Sequence, residues 1–155
     1  DQEGYLALFA RYRSGRQLKL KPPQRIFLNE HGLDEHGKAL QLSRGRAGKS
    51  GRRKIELADW DGDGDLDLIT DEDTAVWYEN TGSQVAPVLV RRGEIADRKL
   101  PGHNPAPSVA DWNGDGLPDL IIGAEDGFFY YFDRRYLQAV KASGSPWKAS
   151  AAGRD

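Results

Sequence analysis

Cysteine and methionine are both absent from the 155 residues, so disulfides and thiolate metal sites are excluded. For any metal, oxygen ligands and three histidines remain, His31, His36 and His103. No apolar run approaches the ~20 residues that a membrane-spanning helix needs. The opening DQEGYLALFARYR has neither the apolar core nor the small-residue cleavage site of a secretory signal. An excess of one charge is lacking too: 22 Lys and Arg against 24 Asp and Glu leave a formal net charge of -2. No global field therefore points to nucleic acid or to a membrane surface. A hydrophobic fraction of 38% is low, but over about one domain's length it suffices for a packed core.

What charge there is lies in blocks. Ser43 to Lys54 holds six basic residues and no acidic one, whereas Asp59 to Asp73 holds eight acidic residues and no basic one. Within the acidic block, DWDGDGDLD at 59–67 puts an aspartate at every second position, and DWNGDGLPD returns at 111–119. Placing Ala58 on Ala110 aligns 23 positions at a spacing of 52 residues without a gap, ten of them identical. This is an internal repeat, of the length that stacked or radially arranged units use. Gln2 to Phe9, QEGYLALF, resembles EDGFFYYF at 125–132, so the chain reads as beginning inside a repeat, just after an Asp-rich loop.

Each repeat has β texture. KIEL and PSVA lead into the loops, LDLIT and PDLIIG leave them, and AVWYEN and FFYYFD follow a turn; APVLVRRGEI supplies a further strand. Short aromatic and β-branched runs punctuated by Gly, Asp and Pro argue for strands. Four of them per ~50 residues is the texture of a propeller blade. The expected fold is all-β, a partial β-propeller of about two to three four-stranded blades. Residues 1–20 are expected to be the remnant of a preceding blade and 21–54 a connecting insertion with a basic loop. Residues 55–100 would form a blade with the first Asp-rich loop, 101–140 a blade with the second, and 141–155 a flexible tail. Closed propellers have four to eight blades, so the chain would be the carboxyl-terminal part of a larger one. Trp60 and Trp112, both at the second loop position, are expected to pack between neighbouring blades.

Alternate aspartates in a glycine-rich turn aim carboxylates at one centre, where their repulsion is costly unless a cation relieves it. A DxDxDG opening is what a calcium loop uses, with side chains at the first, third and fifth positions and a backbone carbonyl at the seventh. An EF-hand would add Glu at the twelfth position, but Thr70 and Ile122 stand there. Both copies instead have aspartate at the ninth position, Asp67 and Asp119, leading directly into an apolar strand.

This pattern resembles the FG-GAP/VCBS repeat family, which includes the calcium-bearing loops of integrin-type β-propellers. The resemblance is strong over Glu56 to Asn80 and Val109 to Asp133, weaker over Gln2 to Phe9, and absent from the insertion and the tail. It implies two calcium sites. In the first, Asp59, Asp61, Asp63 and Asp67 would bind through side chains and Asp65 through its carbonyl. In the second, Asp111, Asn113, Asp115 and Asp119 would do so, with the Leu117 carbonyl. Asn113 lowers the ligand charge by one, so the second site is expected to be the weaker.

Other features carry less chemistry. GRAGKS at 45–50 fails the phosphate-loop spacing, because Ser43 stands where the first glycine is needed. The basic run from Arg44 to Lys54 reads as a solvated loop, with contact to an anionic sugar, phosphate or lipid as the alternative. The family resemblance points to a calcium-stabilised binding or scaffold module of an extracellular or periplasmic protein. Its partners would be the remaining blades of the parent propeller and a carbohydrate or protein ligand. The alternative is a wall segment of a propeller-fold enzyme such as a polysaccharide lyase, for which His103 and Tyr78 are the first residues to test. No residue is assigned a catalytic role.

Overall fold

A computed structural model describes residues 3–29, 39–43, 53–71, 74–96, 100 and 105–137. Ten strands and one short 3-10 turn make up the regular structure of those residues, so the fold is all-β. The three histidines, residues 44–52 of the basic run and the expected tail lie outside the described residues.

The chain divides into two compact units, one formed by Asp1–Arg52 with Thr81–Leu89 and the other by Arg53–Asn80 with Val90–Asp155. In the first unit, β1 (Arg11–Ser14) and β2 (Gln17–Leu20) form an antiparallel hairpin, Ser14 opposite Gln17. Gly15 at φ 60° opens its two-residue turn, the position where such a turn needs a left-handed residue. The short β3 (Leu28–Asn29) pairs in parallel with Val88 and Leu89. Part of the expected insertion folds back here: the amide of Leu40 donates to the carbonyl of Phe27 and that of Leu42 to the carbonyl of Gly4. Tyr5 and Leu40 are buried, and the Arg25 guanidinium lies 4.1 Å from the Tyr5 ring centroid while pairing with Glu3.

The second unit holds both Asp-rich loops. Its first meander runs through β4 (Ile55–Ala58), β5 (Asp67–Asp71), β6 (Ala75–Asn80) and β7 (Val88–Glu94, the part from Val90 lying in this unit), adjacent in that order. The second runs through β8 (Ala106–Ala110), β9 (Asp119–Gly123) and β10 (Phe129–Phe132). Consecutive strands lie side by side in both, as in a propeller blade. β5 and most of β6 are buried on both faces, which is why they read as nearly continuous apolar runs rather than alternating ones.

Between the meanders Trp60, Ile69, Trp77, Ile95, Leu120, Ile122 and Leu137 form one core, joined at its edge by Val109, Tyr130 and Phe132. Both loops sit at the same place in their meanders, after the first strand and before the second.

The repeats are not in register to their ends. Leu68 faces Tyr78 across β5 and β6, but its counterpart Leu120 faces Phe132 across β9 and β10. The closing pairs are Asp71 with Ala75 and Gly123 with Phe129, so the second hairpin turn is two residues longer. The ungapped alignment therefore holds through the loop and the second strand only. The tenth identity, Tyr78 with Tyr130, is a coincidence of type: the residue that occupies the place of Tyr78 in the second meander is Phe132.

Candidate metal-binding loops

In the first loop Asp59 is the hub. Its two carboxylate oxygens accept the amides of Gly62 at 2.8 Å and Gly64 at 3.1 Å. Asp61 accepts the amide of Asp63 at 3.2 Å, and Asp63 that of Asp65 at 2.8 Å. These short-range bonds are the way aspartates compete with regular structure for backbone donors. The turn they enforce requires a left-handed backbone at Gly62 (φ 82°) and Gly64 (φ 94°).

The result brings carboxylate oxygens of Asp59, Asp61 and Asp63 within 4.8 Å of one another. Oxygens bound at 2.3–2.6 Å to opposite sides of one calcium ion lie about 5 Å apart, so the spacing of this trio is one that a single ion can span. Burial, followed by the charges of Asp63, Glu79 and Asp59, holds the Asp61 carboxyl above its ordinary value, only partly offset by the Asp63 amide. A charge-dense, all-oxygen donor set of this kind fits a hard divalent cation.

The second loop reproduces the turn. Asp111 accepts the amides of Gly114 at 2.8 Å, Asp115 at 3.0 Å and Gly116 at 3.0 Å. Asn113 accepts the Asp115 amide at 2.9 Å, and Asp115 accepts the Leu117 amide at 2.9 Å. Gly114 and Gly116 are again left-handed, at φ 75° and 87°. Asn113 leaves Asp111 and Asp115 as the acids among the first five positions, and the Asn113 amide nitrogen donates to the Tyr131 hydroxyl at 3.2 Å.

The ninth-position aspartates occupy a different environment. Asp67 is buried, and its carboxylate accepts the Trp60 amide at 3.2 Å, the Trp77 Nε1–H at 3.0 Å and the Asn80 amide at 2.7 Å. Asp119, also buried, accepts the amides of Trp112 at 3.1 Å and Arg134 at 2.8 Å, with the Tyr131 hydroxyl at 3.0 Å. Each therefore ties the start of its loop to the third strand of its meander. Burial raises the Asp67 carboxyl, while the Asn80, Trp77 and Trp60 donors pull it down. The loop trio and the ninth aspartate thus form two adjoining layers, one exposed and charge-dense, the other buried and hydrogen-bonded.

Residues 59–122, from the first aspartate of the first loop to the strand after the second, match the model of the FG-GAP-like repeat. This segment is an FG-GAP-like repeat. No curated protein and no solved structure matches the chain. The matched segment takes in both Asp-rich loops, and FG-GAP-type repeats make up β-propellers, in keeping with the blade-like meanders.

Some participants in the FG-GAP-like loops were invisible in the sequence. Trp77 and Tyr131 donate to the ninth aspartates from strands that the ungapped alignment sets two residues out of step. The aromatic types alone gave no sign of it. Trp60 is 2% exposed, with the Arg134 guanidinium 4.2 Å from its ring centroid and donating to the Trp60 carbonyl at 3.0 Å. Trp112, expected to be its equal, is 71% exposed. Tyr78, the tyrosine named for an enzymatic reading, is buried.

Proposed function

We propose that the chain is a calcium-binding module of an extracellular or periplasmic β-propeller, in which bound calcium is structural. The observation that carries this is the convergence of the Asp59, Asp61 and Asp63 carboxylates within 4.8 Å, on a turn that two left-handed glycines make possible. Asp65 through its carbonyl and Asp67 through its carboxylate would complete the shell. Asp111, Asn113, Asp115, Leu117 and Asp119 would play the same parts in the second loop.

Calcium supplies positive charge at the point where the loop concentrates negative charge, and so fixes the connection between β4 and β5. Asp67 fixes the same connection from inside by its bonds to Trp60, Trp77 and Asn80. Affinities of extracellular calcium modules are weak, and the calcium concentration outside cells is high enough to fill them. For partners, Trp112, Phe128 and Phe129 are exposed. Trp60 is covered by Arg134 of the following repeat, so a further repeat of the parent propeller is the natural cover for Trp112. A carbohydrate or protein ligand would use rings left free in the assembled propeller.

The test is isothermal titration with calcium chloride, together with thermal unfolding in calcium and in chelator. Saturation at a hundredfold excess over Kd should stabilise the fold by about 2.7 kcal/mol. Asp59→Asn with Asp63→Asn should abolish binding at the first loop. Unchanged unfolding in chelator and no heat of binding would rule out a structural calcium.

A further inference from the structure

The two loops differ in the cations the protein itself presents to them. Beside the second loop, Arg135 Nε lies 3.3 Å from Asp115 Oδ2, the fifth-position carboxylate. The guanidinium is held in place by Asp133, whose carboxylate accepts from Arg135 Nε at 3.0 Å and 3.2 Å and from a terminal nitrogen as well. Asp133 also caps the short 3-10 turn Arg134–Tyr136, accepting the Arg135 amide at 3.0 Å. Arg135 is therefore fixed at both its backbone and its head, and less side-chain entropy opposes its reach to Asp115. Arg135, the foremost cause, holds the Asp133 carboxyl down at about 2, with a smaller contribution from the Asn113 side chain.

The first loop has the same parts arranged differently. Allowing for the two-residue longer hairpin, Glu79 stands where Asp133 stands, and it too is paired with an arginine, Arg92. Among the described residues, however, no lysine or arginine forms an ion pair with Asp59, Asp61 or Asp63, although the half-buried Arg134 guanidinium feels the charges of Asp61 and Asp67 at longer range. Four aspartates at ligand positions give the first loop a formal side-chain charge of -4, from Asp59, Asp61, Asp63 and Asp67. The second has -3, from Asp111, Asp115 and Asp119, and Arg135, itself paired with Asp133, is in direct ion-pair contact with it.

We propose that Arg135 is a resident counter-ion of the second loop, so that this loop keeps its turn without calcium and binds calcium only in competition with the guanidinium. The inference rests on the calcium reading and deepens it: the second loop has a guanidinium in direct contact with a ligand-position carboxylate, and the first does not. It also adds a cause for unequal affinity beyond Asn113. Asn113 withholds a negative charge, whereas Arg135 supplies a positive one. The latter effect is removable by one substitution on the far side of the loop.

The test uses the full chain with the first loop disabled by Asp59→Asn and Asp63→Asn, so that titration with calcium chloride reports the second loop. In that background Arg135→Gln should tighten calcium binding by about twofold to fivefold, the scale of one exposed ion pair. Arg135→Lys, which keeps the charge but not the forked pairing with Asp133, should give an affinity between those of the arginine and glutamine forms. In chelator, Arg135→Gln should lower the hydrogen-exchange protection of the Gly114 and Gly116 amides several-fold while leaving Gly62 and Gly64 unchanged. Unchanged or weaker calcium binding in Arg135→Gln, with calcium still bound by the first loop of the unmodified chain, overturns the counter-ion and spares the calcium reading. Absence of calcium from both loops of the unmodified chain overturns the calcium reading and the competition together. The exchange experiment then still decides whether Arg135 holds the turn.

Discussion

The indole Nε1–H of Trp77 donates to the buried carboxylate of Asp67 at 3.0 Å, across the pairing of β6 with β5. Tyr131 and Asp119 repeat the bond at 3.0 Å with a phenol in place of the indole. A residue that the loop pattern marks as a ligand is thus also the acceptor that locks the loop to the sheet, and the two roles can be separated by mutation.

Asp67→Ala leaves two backbone amides and an indole N–H without their acceptor. Unsatisfied buried donors cost ~1–3 kcal/mol each, so urea unfolding in chelator should show a loss of about 3 kcal/mol or more. Asp63→Ala is exposed and should change calcium-free stability by no more than about 0.5 kcal/mol, yet remove calcium binding at the first loop. Equal losses for the two variants in chelator would mean that Asp67 has no special structural part.

How much of this was legible in the sequence depended on range. The Asp-Gly loops and their glycine positions are local: each aspartate bonds an amide two to five residues away, so spacing alone announces the turn. The strand texture and the repeat were legible for the same reason. The partners of Asp67 lie 7, 10 and 13 residues away, and finding them requires the register of β6 on β5. That register depends on a turn whose length the ungapped match concealed. The difference between Trp60 and Trp112 was hidden for a further reason. The residues are identical in type and position, and what separates them is Arg134, 74 residues beyond Trp60.

The glycines make a second prediction. Gly64 has open space around the position a Cβ would take, so any cost of substitution comes from its backbone at φ 94°. Gly64→Ala should destabilise the chain by about 1 to 2 kcal/mol, the cost of holding an L-residue in the left-handed region. Gly64→Asn should lose less, since asparagine tolerates that region better. Differential scanning calorimetry of both variants in chelator checks the order, and an alanine variant as stable as the parent would refute it.

Arg134 carries a third. Its guanidinium covers the Trp60 ring and donates to the Trp60 carbonyl, and burial depresses its pKa below the ordinary arginine value. Arg134→Ala should cost about 1 to 2 kcal/mol for the lost cation–π contact and hydrogen bond. It should also shift tryptophan emission to the red as water reaches Trp60. Trp112→Ala should fall within about 0.5 kcal/mol of the parent in the isolated chain, because the ring is exposed. A larger loss at Trp112 than at Arg134 would reverse the assignment of which ring is packed.

A fourth concerns pH. Burial holds the Asp71 carboxyl above its ordinary 3.8, despite the Lys54 amide that it accepts at 2.9 Å and the Arg53 guanidinium 3.9 Å away. With its folded pKa above the unfolded one, the native state binds more protons between the two. The contribution of Asp71 to stability therefore falls as the pH rises from about 4 through the folded pKa. Asp71→Asn should remove that slope and leave the variant more stable than the parent at pH 7. Urea midpoints measured in chelator from pH 4 to pH 7 give the comparison, and parallel curves would show that Asp71 carries no such burden.

The second hairpin exceeds the first by two residues, and parity explains why both repeats still work. Side chains on a strand change sides at each step, so an even insertion returns every residue to the side from which it came. An odd one would turn Tyr131 away from Asp119 and leave the buried carboxylate without its phenol donor. Repeats of this design can therefore vary their hairpins in steps of two, exchanging an indole for a phenol as the donor, while single-residue insertions there should be selected against.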